Sequence, residues 1–274
     1  MIYLDDLLLM EGSFERHLQL VDDVLSALES QGIKLNAKKC VWFQAEVPFL
    51  GHIISERGLR RSPEYVRKVR SLERPHTVKQ LRQFLGVINF QRKFVPHCSS
   101  ISKLLTELTG QSGSTVITWT DKRNEAFQKL KQVMEEEVTL AFPDYREDAQ
   151  PLTLWTDASQ VGAGACLTQE QDGETCFIGF ASMTFSRSQR NYSVTELELA
   201  TLRWEVKTFK SFLCFVKFRV CTDHQALVYM HSMHLVNSRI ARTMEELSEF
   251  DFTNCYVPDS TNMSLTCSLA ISLR

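Results

Sequence analysis

No apolar run in this 274-residue chain approaches the roughly 20 residues that a helix needs to cross a bilayer. The first residues, MIYLDDLLLMEG, carry two aspartates and no basic residue, so they do not read as a secretory signal. None of the eight cysteines pairs as CxxC, and no His/Cys cluster has zinc-finger spacing; His231 and His234 lie close in sequence, but no CxxC follows them. Such cysteines read as reduced, small, buried side chains in an intracellular protein. With seven prolines and eleven glycines there is no collagen-like repeat, and no low-complexity tract appears. What remains is 43% hydrophobic and 23% charged, the composition of a globular protein long enough for two domains.

Charge of one sign is also lacking: 31 Lys and Arg face 33 Asp and Glu, a net −2. Over the whole chain that balance argues against a nucleic-acid partner, but it is an average over unequal parts. Residues 57–93 hold 11 Lys and Arg against two acids, Glu64 and Glu73. A window of that sign can match a phosphate backbone, or it can be a solvated helix face.

The pattern along the chain alternates between helix and strand. MIYLDDLLL reads as two short apolar strands with an acidic tip. Leu18, Val21, Val24, Leu25 and Leu28 repeat at helical spacing over 14–31, and Gly32 stops that helix. Strands are expected around 41–43 and 49–54. Ser62-Pro63-Glu64 starts a helix with proline in its first turn. Val78, Leu81, Leu85 and Ile88 line another that ends near Pro96, and Gly110–Ser114 is the best linker. A helix over 121–138 precedes strands at 152–156, 162–168 and 176–185. Thr195 then caps a helix reaching 212, with Glu198 three residues on as in a capping box. A strand at 217–221, a helix at 238–249 and a strand at 252–257 complete an α/β layout with a mixed sheet.

Two sets of acids sit where sheets present reactive groups. Asp5 and Asp6 occupy the hairpin tip, where adjacent carboxylates repel unless solvated or bridged by a divalent cation; a solvated turn is the ordinary alternative. Asp157 and Asp223 end two strands, and Glu198 lies on the first turn of a helix with Glu196 beside it. Acids from three elements converging on one sheet edge can chelate Mg²⁺ for phosphodiester cleavage, although strand-end acids are common.

These residues belong to a longer pattern. YLDD at Tyr3–Asp6 resembles the YxDD signature of reverse transcriptases. HLQLVDDVLSALESQGIKLNAKKC (17–40), FLGHIIS (49–55), LRQFLGVINFQRKFVP (81–96), ITWTDKRNEAFQKLK (117–131), LTLWTDASQVGAGACL (152–167), NYSVTELELA (191–200) and CTDHQAL (221–227) resemble, in order, the polyprotein of Ty3/gypsy-type LTR retrotransposons. The resemblance implies an α+β architecture: the end of a polymerase palm at 1–55, a helical thumb at 56–110, a connection segment at 111–150 and an RNase H-like domain at 151–274. It implies a partner, an RNA–DNA hybrid or other duplex, with Arg57, Arg60, Arg61, Arg67, Lys68, Arg70, Lys79, Arg82, Arg92 and Lys93 facing it, or else packing the thumb on the palm. Asp157, Glu198 and Asp223 become metal-binding carboxylates with a two-Mg²⁺ site, and Glu196 the lesser member of the ExE pair. Trp204 is expected in the core rather than as a base-stacking platform. No partner subunit is indicated.

Departures from the family carry expectations of their own. The fingers and a third catalytic aspartate would precede Met1, so Asp5 and Asp6 form a polymerase remnant and no DNA polymerase activity is expected. At the other end the family pattern YxPGxxNxxADxLSR meets YVPDSTNMSLTCSLAISLR (256–274). Asp259 stands for Gly, and Thr266 stands for the Asp that supplies the fourth metal ligand, which weakens the second metal. Suitable codons for 264–270, read one base over, yield A-D-x-L-S-R, so a frameshift after Met263 competes with a diverged tail.

Overall fold

The computed structural model describes residues 1–159, 161–224 and 238–258. It divides into two compact units, Met1–Glu56 and Arg57–Arg274. His231, His234, Asp259 and Thr266 lie outside the described residues.

In the first unit β1 (Ile2–Tyr3) and β2 (Asp6–Leu7) pair antiparallel, Tyr3 opposite Asp6, and Leu4 turns the chain at φ 50°. Helix α1 (Phe14–Ser30) starts where the Ser13 hydroxyl accepts from the Arg16 N–H at 3.2 Å and ends before Gly32 at φ 69°. The strand expected at 41–43 is absent. Phe43 sits at φ 50°, which extended backbone does not permit, and its ring packs on Phe14 at 5.7 Å. The hairpin forms further on, from β3 (Glu46–Phe49) and β4 (His52–Ser55). Both of its turn residues, Leu50 and Gly51, are left-handed (φ 50° and 78°), the twist that joins two strands through a two-residue loop.

The second unit opens with β5 (Gly58–Arg61), antiparallel to β6 (Thr139–Leu140). Gly58 is required there: at φ 123° a β-carbon would collide with the Leu140 carbonyl. Helices α2 (Pro63–Arg70), α3 (Val78–Phe90), α4 (Cys98–Thr106) and α5 (Asp121–Glu135) surround a core of Val78, Leu81, Leu85, Ile88, Leu105, Phe127 and Leu130. The Ser62 hydroxyl caps α2 by accepting from Tyr65 N–H, and Thr77 with Gln80 forms a capping box on α3. The Gly110–Ser114 stretch does not separate two bodies. The N–H groups at the start of α3 need acceptors, and Lys79 N–H donates to the Gly113 carbonyl at 2.9 Å and Val78 N–H to Thr115 at 3.0 Å.

A five-stranded mixed sheet follows, ordered β11-β10-β7-β8-β9. Strands β7 (Leu152–Ala158), β8 (Gly162–Gln171) and β9 (Glu174–Thr184) form an antiparallel meander, while β10 (Phe218–Thr222) and β11 (Phe252–Tyr256) join parallel. Helices α6 (Val194–Thr208), α7 (Lys210–Leu213) and α8 (Ser238–Leu247) lie along the sequence between β9 and β11. Leu152, Leu154, Phe218 and Val220 pack with Leu199, Leu202 and Val206 of α6, with Trp204 partly buried against them. Other sheet residues, Cys166, Phe180, Trp155 and Phe177, meet Leu59, Phe94, Val138 and Leu140. Thus the helical part of this unit and the sheet share packing: Ser99 N–H donates to Ser182 Oγ at 2.9 Å, and Arg92 donates to the Ser182 carbonyl.

Candidate active site

Side chains alternate across a strand, so Leu152 and Leu154 facing the α6 core put Asp157 on the other set of positions, with Trp155. The same alternation on β10 puts Asp223, just past its end, with Cys221. The parallel register, Phe218 opposite Leu152 through Cys221 opposite Trp155, brings Asp223 level with Asp157. The Thr222 hydroxyl accepts from His224 N–H at 3.0 Å and closes that strand end.

The third carboxylate depends on where α6 begins. Both Ser193-x-x-Glu196 and Thr195-x-x-Glu198 fit a capping box, and the structure uses the first. Ser193 Oγ accepts from Glu196 N–H at 3.3 Å, and Glu196 Oε2 accepts from Ser193 N–H at 3.1 Å. Glu196 also accepts from Arg239 at 3.1 Å. The expected cap at Thr195 is therefore corrected, with a consequence for chemistry. Glu196 is committed to the helix start, and Glu198 turns into the site.

Glu198 is 8% exposed, and its carboxyl is pushed up to about 7 by burial first, then by the charges of Asp223 and Asp157. A buried carboxyl beside two further acids is held in its neutral form by both desolvation and like charge. A fourth acid, Glu205, was not singled out from the sequence. It lies two turns beyond Glu198 between the buried Leu202 and Val206 and is itself fully buried. Burial holds its carboxyl well above the carboxylate range, Thr156 hydrogen-bonds to it, and Glu198 and Asp157 push it the same way. The signal available in the sequence was a Glu on the apolar face of a helix.

Among the described residues, no three His, Cys, Asp or Glu side chains already close on one point as a formed metal site. The donor chemistry nonetheless fits Mg²⁺: hard carboxylate oxygens from three elements, with Asp223 and Asp157 acting on the Glu198 carboxyl.

Asp5 and Asp6 are exposed at the β1–β2 turn, in the other unit. The ten basic residues divide. Arg57, Arg67, Lys68 and Lys79 are exposed and Arg60 half-buried. Arg61 is corrected: it is 5% exposed, donates to the carbonyls of Val133 and Glu136, and lies 5.3 Å from the Phe94 ring centroid. Lys93 is half-buried over the same ring, Arg92 reaches Ser182, Arg82 donates to Thr109 and Gln111, and Arg70 pairs with Glu135 at 2.8 Å. These five bind the unit together.

A mixed sheet with carboxylates at the ends of adjacent strands and on the second turn of its helix defines an RNase H-like domain. The family model for the RNase H-like domain found in reverse transcriptase matches residues 147–250, and that for reverse transcriptase (RNA-dependent DNA polymerase) matches residues 1–54. The chain is 30% identical over 261 residues to the retrovirus-related Pol polyprotein from transposon 412 of Drosophila melanogaster, covering 95% of this chain and 21% of the relative. It is 32% identical over 262 residues to that from transposon 297 of the same fly, covering 96% and 24%, and 32% identical over 265 residues to the transposon Tf2-3 polyprotein of Schizosaccharomyces pombe, covering 95% and 20%. The chain belongs to the Ty3/gypsy-type retrotransposon polyproteins and represents their reverse transcriptase/RNase H region. It spans about a fifth to a quarter of the length of those relatives. In fold it is similar to the foamy viral protease-reverse transcriptase dRH in complex with ds DNA (TM-score 0.78, 22% identity, 91% of this chain and 45% of that one). It is likewise similar to the foamy viral protease-reverse transcriptase in complex with RNA/DNA hybrid (TM-score 0.75, 22% identity, 92% and 35%).

Proposed function

We propose that this chain binds an RNA–DNA hybrid inside the cell and hydrolyses its RNA strand endonucleolytically, with Mg²⁺ held by Asp157, Glu198 and Asp223. The observation that carries the reading is the buried Glu198 carboxyl, pushed up to about 7 by its burial first and then by Asp223 and Asp157. A bound divalent cation supplies charge neutralisation at the scissile phosphate and acidifies water. The chain's residues do the placing. Asp157 and Asp223 approach from neighbouring strand ends, and Glu198 enters from α6 once Glu196 has taken the cap. Burial of Glu198 keeps bulk water from screening the cluster. Exposed Arg57, Arg67, Lys68 and Lys79 attract the duplex backbone. The foamy viral neighbours, described in complex with ds DNA and with RNA/DNA hybrid, support a duplex ligand.

A second reading, a binding module without turnover, draws on the carboxylates not being closed on one point and on Thr266 in place of an expected ligand. One assay separates them. With a labelled RNA–DNA hybrid and Mg²⁺, the enzyme cuts the RNA strand and Asp157→Asn does not. Salt-sensitive binding without cleavage by the unsubstituted chain contradicts the enzyme.

A further inference from the structure

The row of side chains next to the carboxylates holds two thiols. In the parallel pairing of β10 and β11, Cys221 lies directly opposite Cys255. In-register residues on adjacent strands sit roughly 4.8 Å apart, within the span that a disulfide bridges without moving the backbone. Burial first, and then the adjoining Cys255 thiol, push the Cys221 thiol up, and neither sulfur is in a disulfide. Cys221 is buried, whereas Cys255 is half-buried and within reach of a small solute. On the far side Cys221 is opposite Trp155, which in turn is opposite Cys166, so the indole separates that third thiol from the pair. Two residues further on, at the same alternation, the strands carry Asp157 and Asp223.

We propose that Cys221 and Cys255 are a peroxide-oxidisable dithiol, whose disulfide ties β10 to β11 in the side-chain row adjoining Asp157 and Asp223. The Cys255 sulfur meets hydrogen peroxide first and takes one oxygen. The O–O bond breaks, the other oxygen leaves as water with the help of the thiol proton, and a sulfenic acid results. The Cys221 sulfur then attacks the Cys255 sulfur; the S–O bond breaks and a second water carries away the hydroxyl and the remaining thiol proton. Each sulfur is oxidised by one electron, and peroxide takes the two. This chemistry is independent of whether the carboxylates cut RNA.

The test treats the full chain with hydrogen peroxide, blocks remaining thiols, and maps peptides without reduction. The expected result is a crosslinked peptide pair containing Cys221 and Cys255, an intact mass lower by about 2 Da, reversal by dithiothreitol, and a thermal midpoint raised in the oxidised form. Cys255→Ser, at the half-buried position, removes both the crosslink and the midpoint shift. Recovery of Cys255 as an unmodified thiol, or as a sulfinic or sulfonic acid with no link to Cys221, overturns the proposal. So does an identical midpoint shift in Cys255→Ser.

Discussion

The two units handle similar residues in opposite ways. In Met1–Glu56, Ile2, Leu4, Phe14, Leu18, Trp42 and Phe43 are all exposed, and Leu8, Val21 and Ile54 are the buried apolar side chains. In the second unit leucines, valines and phenylalanines of the same kind fill continuous cores on α3, α5, α6, β7 and β10. Acids follow their surroundings: Asp5 in the β1–β2 turn and Asp6 at the start of β2 stand in water, while Glu198 and Glu205 lie inside. A carboxylate acquires unusual chemistry here from what covers it, not from its place in a motif.

The largest expected contrast is in stability. Leu202→Ala in the second unit removes a fully buried side chain and should cost about 2–5 kcal/mol. Leu4→Ala, at an exposed turn, should stay within about 0.5 kcal/mol. Urea unfolding of both variants checks this, and equal losses would erase the distinction between the units.

A contrast of about 3 kcal/mol is expected in pH dependence. The folded Glu198 carboxyl titrates at about 7, above its ordinary 4.5. A raised carboxyl stabilises the fold fully below pH 4.5, and that contribution is lost as pH rises to 7. Without divalent cations, unfolding free energy should therefore fall across this window. Glu198→Gln should remove that part of the fall, leaving the part that buried Glu205, also raised, contributes in the same direction. Parallel pH profiles for the two proteins would contradict the coupling.

Smaller effects should separate the arginines. Arg61→Ala leaves the Glu136 and Val133 carbonyls without their donor and should cost about 1–3 kcal/mol, with duplex affinity per unit salt unchanged. Arg67→Ala, Lys68→Ala or Lys79→Ala should barely alter stability. Each should lower the slope of duplex binding against salt by about 1, provided that residue meets phosphate.

Much of the fold is legible in the sequence. Period-3.6 apolar spacing marks α1 and α3 because a helix buries one stripe, and short apolar stretches mark β7 to β11. Three of the four acids that interact in the site follow from strand ends and a helix start. What escaped depends on choices that local sequence leaves open. Two overlapping capping boxes compete around 193–198, and tertiary demand for Glu198 agrees with the upstream one. Apolar residues at 41–43 suggested a strand, yet the chain turns at Phe43 and pairs three residues later. Charge counting identifies a basic window over 57–93, but it cannot tell Arg61, buried with its Nη2 on the Val133 and Glu136 carbonyls, from Arg67, which faces solvent.

The most direct measurement is calorimetric titration of Mg²⁺ into the full chain at pH 8 beside Glu198→Gln, Asp157→Asn and Asp5→Asn. The charge-coupled cluster predicts saturable binding in the unsubstituted chain. It also predicts loss in the first two variants and no change in the third. Binding that survives both Glu198→Gln and Asp157→Asn, or that disappears with Asp5→Asn, contradicts it.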